Sequence, residues 1–198
     1  MSCAIDLVCV SLRPGGLAVR LAGGRDGFRL PMARWGGEGS LDVAAAALGR
    51  EILQRKASWT VQVSARAVHE HPLRARLSVT YLVATTEPTA ANERAAWYTA
   101  AKARKLVSPC HRESIAHALA FASNHADRWV LAFALLPSAF TLTQLQRAHE
   151  VLLGRRLYKA SFRRVVNAAE RITPTSEWRA EGRGRPAQLY RRAPNATR

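Results

Sequence analysis

Lys159, Ser161, Arg163, Arg164 and Asn167 have the types and the spacing needed to read a nucleic-acid groove. On a helix, residues three and four apart share a face. Here the polar set stands opposite an apolar stripe of Phe162, Val165, Val166 and Ala169. Arginine offers two parallel N–H donors to the O6 and N7 of guanine, and asparagine matches the N6 and N7 of adenine. Upstream, Thr141, Thr143 and Gln144 open another helical stretch, where hydroxyl, amide and backbone N–H groups suit a phosphate. Downstream, Arg183 and Arg185 flank Gly184 in a loop whose glycines allow close approach to a minor groove or its phosphates. The competing reading makes all these arginines a non-specific cationic cloud.

The elements that would position these groups are legible nearby. Thr141 or Thr143 caps a helix over 142–153, with Leu142, Leu145, Ala148, Val151 and Leu152 on one face and Gly154 as its stop. After a short link, a second helix spans about 158–170. The pair is a helix-turn-helix. Residues 172–178 and 187–191 can pair as strands across the loop 179–186, which makes it a winged variant. The charge agrees. The chain has 198 residues and a formal net charge of +16, and residues 155–198 hold 12 basic and 3 acidic side chains. Such a concentration is a footprint for a polyanion, most simply DNA or RNA.

Other reactive residue types point nowhere as clearly. His69 and His71 alternate on a predicted strand but lack a third ligand, which makes a poor zinc site. His149 falls on the polar flank of its helix and reads as surface. Cys110 beside His111 has no partner that would complete a nucleophilic triad. Three cysteines, Cys3, Cys9 and Cys110, make neither a disulfide framework nor a paired metal motif. The composition, 48% hydrophobic and 22% charged, excludes a wholly disordered chain. The apolar runs are too short to span a bilayer, and no secretory leader is legible, so a cytoplasmic protein without membrane partners is expected.

The first half reads as mixed α/β. Strands are expected over 4–11 and 17–21 around the Pro14-Gly15-Gly16 turn, and over 59–68 and 76–85. Ser40 caps a helix over 41–56 whose apolar side carries Val43, Ala44, Ala47, Leu48 and Ile52. Residues 93–106 have helical composition, and 113–121 form a further helix. Two domains follow, 1–100 and 101–198.

The segments Phe140-Thr-Leu-Thr-Gln-Leu-Gln-Arg-Ala-His-Glu150, Phe162-Arg-Arg and Gly184-Arg-Pro-Ala-Gln-Leu-Tyr-Arg191 resemble the DNA-binding domain of the Nudix-related transcriptional regulators. Pro72, Ser78, Val79 and Tyr81 keep the spacing of a family segment that resembles Asp-Pro-Arg-Gly-Arg-x-x-Ser-Val-x-Tyr. Trp97, His111 and Ile115 fit in the same order, although Cys110 stands where an Asp is expected. The resemblance implies an N-terminal Nudix-like domain and a C-terminal winged helix. It also implies a dimer on double-stranded DNA, repression of pyridine nucleotide genes, and an ADP-ribose-type effector.

An active Nudix box resembles Gly-x5-Glu-x7-Arg-Glu-apolar-x-Glu-Glu-x-Gly, with carboxylates on successive helical turns that gather Mg²⁺. Laid on this chain, it puts Gly36 at the first glycine, Asp42 at the first acid, and Arg50, Glu51 and Ile52 at the Arg-Glu-apolar positions. The two ligating glutamates fall on Gln54 and Arg55, and the last glycine on Ala57. A neutral amide is a weak Mg²⁺ ligand, and a guanidinium has no lone pair to offer. No hydrolysis, no metal and no cofactor are therefore expected. Where the family has Arg-Gly-Arg, this chain has Leu73-Arg74-Ala75-Arg76. Arg74 and Arg76 either meet a diphosphate in a shifted register or face solvent. The competing function is a Nudix-type hydrolase, or a small-molecule- or RNA-binding protein with a basic C-terminal module.

Overall fold

The apolar segments of the first half do assemble into a sheet. In the computed structural model, which describes residues 2–24, 27–86, 95–124, 129–180 and 186–194, β1 (Cys3–Arg13) is its central strand. It pairs antiparallel with β2 (Gly16–Gly24) and parallel with β6 (Leu77–Ala84). The parallel register sets Asp6 opposite Thr80 and Leu7 opposite Tyr81. Strand β3 (Gly27–Arg29) extends the β2 edge, β4 (Met32–Trp35) pairs with the start of β1, and β5 (Trp59–Ala67) closes the β6 edge. Neighbours on both sides explain why β1 and β6 are buried over nearly their whole length.

Helix α1 (Leu41–Leu53) covers one face. Ser40 caps it as expected, its side chain accepting from the Val43 N–H at 3.2 Å. The helix ends before the expected residue 56, because Gln54 turns into the left-handed region at φ 55°. Its inward stripe is Ala45, Gly49 and Leu53, packed with Leu48 and Ile52 over Ile5, Leu7, Val79, Tyr81 and Val83. Val43, expected on the apolar side, is 69% exposed. The helix is so rich in alanine that hydropathy alone sets its phase poorly.

The expected helix over 93–106 is a strand followed by a helix: β7 (Ala95–Thr99) and α2 (Ala100–Leu106). The open edge of β2 takes Trp97 and Tyr98 into the sheet, opposite Arg20 and Val19. Arg13 and Arg20 lie against the Trp97 ring, each 5.8 Å from its centre. Helix α3 (Pro109–Asn124) packs on the other sheet face, where Ser114 meets Arg66 at 3.0 Å and Thr80 at 3.1 Å. These bonds bind α3 to the first unit. The chain therefore divides into Met1–Ala122 and Ser123–Arg198, later than the boundary expected at residue 100.

The second unit contains α4 (Val130–Ala134), α5 (Leu142–Leu153), α6 (Lys159–Ala169), β8 (Ile172–Arg179) and β9 (Ala187–Arg192). Strands β8 and β9 pair antiparallel, and Phe140 adds a bridge to Tyr190 through two backbone bonds of 2.8 and 3.0 Å. Among the described residues, no helix is long and apolar enough to cross a membrane.

Candidate nucleic-acid interface

The turn between α5 and α6 is fixed by side chains. Gly154 takes φ 65° and donates its N–H to the Glu150 carbonyl. Glu150 Oε1 then accepts the Leu157 N–H at 2.9 Å and Gln146 Nε2 at 3.0 Å. Gln146 Nε2 also donates to the Leu157 carbonyl at 3.0 Å. The Leu157 N–H, followed by the Gln146 amide, holds the Glu150 carboxyl below its ordinary range. Gln146 and Glu150 carry no obvious signal in the sequence beyond their separation of one helical turn.

Held by this turn, α6 buries Phe162 and Val166 and exposes Lys159, Arg163, Arg164 and Asn167. Those four residues and Tyr158 border one shallow depression. Ser161 is half-buried and turns to a different cavity. Val165, expected in the buried stripe, is 57% exposed. It lies one step off the Phe162–Val166 line that meets the core.

The start of α5 differs from expectation in its chemistry. Thr141 Oγ1 accepts the Gln144 N–H at 3.2 Å, and Gln144 Oε1 accepts the Thr141 N–H at 2.9 Å. This capping box occupies both side chains, and Thr141 is fully buried. Buried in this way, Thr141 is not set up to hold a phosphate by its side chain; the box engages only Oε1 of Gln144, which is half-buried, and Thr143 remains exposed. Arg183 and Arg185 lie outside the described residues.

In the first unit, the acids of α1 do not gather. Asp42 accepts the Tyr81 hydroxyl at 2.6 Å, and the Gln54 amide folds back on the Glu51 carbonyl at 2.6 Å. Arg74 and Arg76 are exposed in the loop between β5 and β6, with Arg74 at φ 52°. His69 is exposed in the same loop, not on a strand.

His71 goes elsewhere. Among the described residues, one group of three metal-ligating side chains converges, Asp6, His71 and His111, and all three are buried. His71 Nε2 lies 3.0 Å from Asp6 Oδ1, and His111 Nε2 lies 3.6 Å from the same oxygen. Ser78 donates to Asp6 Oδ2 at 2.6 Å. Burial works against the Asp6 charge, but His111, His71 and Ser78 outweigh it and hold the carboxyl well below the usual range. The other ring nitrogens decide the chemistry. His71 Nδ1 accepts the Leu73 N–H at 3.1 Å, and His111 Nδ1 accepts the Leu30 N–H at 3.4 Å. Both ring protons therefore sit on Nε2, facing Asp6. A metal-bound histidine needs the opposite, a bare nitrogen toward the ion and a donor toward an outer acceptor. The donor set fits a hydrogen-bonded clasp and not a cation. The sequence hides it, since its members come from β1, a loop and α3.

Residues 132–192 match the NrtR DNA-binding winged helix domain. A stretch of 101 residues is 36% identical to the ADPR responsive transcriptional repressor NtrR of Acinetobacter baylyi, spanning 50% of this chain and 40% of that protein. The fold resembles that of Shewanella oneidensis NrtR, solved in complex with a 27mer DNA. The TM-score is 0.83 at 24% identity, covering 98% of this chain and 94% of the other. The match places an NrtR-type DNA-binding winged helix domain over residues 132–192 of this chain. A MutT/nudix family protein from Enterococcus faecalis shares the fold at TM-score 0.76 and 16% identity, over 97% and 88% of the two chains. Within the NrtR-like match lie the capping box, the Glu150 turn and the exposed face of α6.

Proposed function

We propose that this chain is a sequence-specific DNA-binding transcriptional regulator, a repressor that acts as a homodimer on a palindromic operator. The exposed set Lys159, Arg163, Arg164 and Asn167 carries the reading, because it stands on a helix whose entry is locked by Glu150 and Gln146. A rigid element carrying arginine forks and an amide can select bases, whereas a loose basic tail attracts only phosphates. The Nudix-fold unit serves as a sensor of a nucleotide-type effector of the ADP-ribose class, to which the A. baylyi relative's name refers. It is non-hydrolytic: Gln54 and Arg55 occupy the glutamate positions, and Asp42 is engaged by Tyr81.

The test is selection of duplexes from a random pool by the purified full chain, then titration of the selected duplex with ADP-ribose. A single palindromic motif, released by ADP-ribose, is expected. Recovery of duplexes without a shared motif overturns sequence-specific binding, and a motif complex indifferent to ADP-ribose overturns the effector.

A further inference from the structure

The rotation of α6 about its axis is fixed from its inner side. His149 of α5, expected at the surface, is 5% exposed. Burial lowers its pKa, and the neutral ring packs between Trp129 and Phe162 of α6, 4.8 and 5.3 Å away. Val166, one turn beyond Phe162, is buried as well. With those two side chains of α6 held, the outward residues of the helix keep one orientation.

Residues at i, i+3, i+4 and i+7 share a helix face. Counted from Ala160, these are Arg163, Arg164 and Asn167. All four are exposed, and all four border the shallow depression on α6 together with Lys159 and Tyr158. Ala160 is the aliphatic member of that set. Its neighbours can each donate a hydrogen bond to a base edge, whereas Ala160 can neither donate nor accept one with its side chain. Its methyl group is Cβ itself, so the backbone alone decides where it points. It stands in the first turn of α6, the part of a recognition helix that meets base edges. Val165 and Ala168 are exposed too, but neither borders the depression.

The major groove presents donors and acceptors on every base pair and one projecting apolar group, the C5-methyl of thymine. A polar base edge set against Ala160 would lose its water and gain no partner, which is unfavourable. The thymine methyl loses only apolar hydration, which is favourable. We propose that Ala160 reads thymine: its methyl packs on the C5-methyl of one thymine in each half-site. That thymine lies beside the base taken by Arg163 or Arg164, at the opposite end of the reading face from the base met by Asn167. The inference rests on the base-reading role given to α6 under the proposed function, and it makes Ala160 a specificity-determining residue.

The test resynthesises the duplex selected by the full chain with deoxyuridine in place of each thymine in turn, symmetrically in both half-sites. The exchange removes the C5-methyl and leaves base pairing and the O4 acceptor unchanged. One thymine per half-site is expected to respond, with binding weaker by about fourfold per half-site, the worth of one buried methyl. Ala160→Gly, which lacks the methyl, binds the thymine and uracil duplexes equally. Loss of helix stability in that variant lowers both affinities and leaves their ratio alone, so the ratio isolates the contact. In the wild-type complex, the labelled Ala160 methyl gives a nuclear Overhauser effect to the methyl of the responding thymine. A motif in which every thymine tolerates uracil overturns the proposal without any variant and leaves base reading by the arginines standing. A thymine preference that survives Ala160→Gly also overturns it and assigns the methyl to another side chain, such as Tyr158. Recovery of duplexes without a shared motif overturns both the proposal and the reading on which it rests.

Discussion

Asp6 and His71 stand 65 residues apart in the sequence and meet at 3.0 Å in the interior of the first unit. The His71 N–H points at the carboxylate, and its other nitrogen is engaged by the Leu73 N–H. Removing the imidazole leaves a buried charge with only Ser78 and the more distant His111. We expect His71→Ala to destabilise the fold by about 3 kcal/mol, within the range for breaking a buried pair. The midpoint of urea unfolding reports it. A loss below about 1 kcal/mol would show that water or rearrangement replaces the clasp.

Zinc distinguishes the clasp from a metal centre. A site that binds only the folded state would add about 2.7 kcal/mol at one hundred times its dissociation constant. With both ring protons directed at Asp6, we expect neither added Zn²⁺ nor exhaustive chelation to move the thermal midpoint. A midpoint that rises with Zn²⁺ and falls back with chelator contradicts ring protons on Nε2 of His71 and His111.

Acid should weaken the two units over different pH windows. His149 has a folded pKa below its unfolded value, so the unfolded chain takes up a proton first as pH falls through about 6.5. Stability of the second unit is full above that value and declines below it, by up to about 1.4 kcal/mol per pH unit for this one group. Asp6 has the same sign and a lower window. Its contribution is full above about 3.9 and declines as pH falls further. Unfolding free energies between pH 7 and 5 check the first window, and His149→Phe should flatten it. A wild-type profile already flat there would contradict a neutral, buried His149.

Local signals were the legible ones. Helix α5 runs over the residues expected because Thr141 and Gly154 mark its ends by their own chemistry. Strands β5 and β6 come within a residue or two of expectation because apolar and small polar residues alternate along Leu77–Ala84. What depends on a distant partner was not legible. Trp97 sits in an alanine-rich window that reads as helix, and the open edge of β2 makes it a strand. Thr141 has the type for phosphate contact, but its hydroxyl is buried in the cap it forms with Gln144. Asp6, His71 and His111 become neighbours only when β1, a loop and α3 fold together, and no spacing rule joins positions 6, 71 and 111.

The α1 site predicts an inert first unit. Gln54 and Arg55 supply no carboxylate, and Asp42 is hydrogen-bonded to Tyr81. With Mg²⁺ or Mn²⁺, we expect no turnover of ADP-ribose, NADH or nucleoside diphosphate derivatives above the blank. Turnover proportional to protein and abolished in Asp42→Ala or Glu51→Ala would establish a hydrolase instead.

Base reading and phosphate attraction separate in the behaviour of single substitutions. Arg164 and Asn167 are exposed on α6, where their forks and amides can reach base edges. Replacing either with alanine should weaken operator binding by about 1–3 kcal/mol and leave binding to a scrambled duplex nearly unchanged. Arg185, assigned to phosphate contact from the sequence, should on replacement weaken both duplexes alike and reduce the salt slope by about one unit. Thr141→Ala is the control for a structural effect. Its hydroxyl caps α5 and is buried, so it should lower stability by about 1 kcal/mol while leaving the ratio of operator to scrambled affinity intact. Each variant is titrated against both duplexes at two salt concentrations. If every α6 substitution lowers both affinities equally, the arginines act only as a charge cloud, and base selection by α6 is wrong.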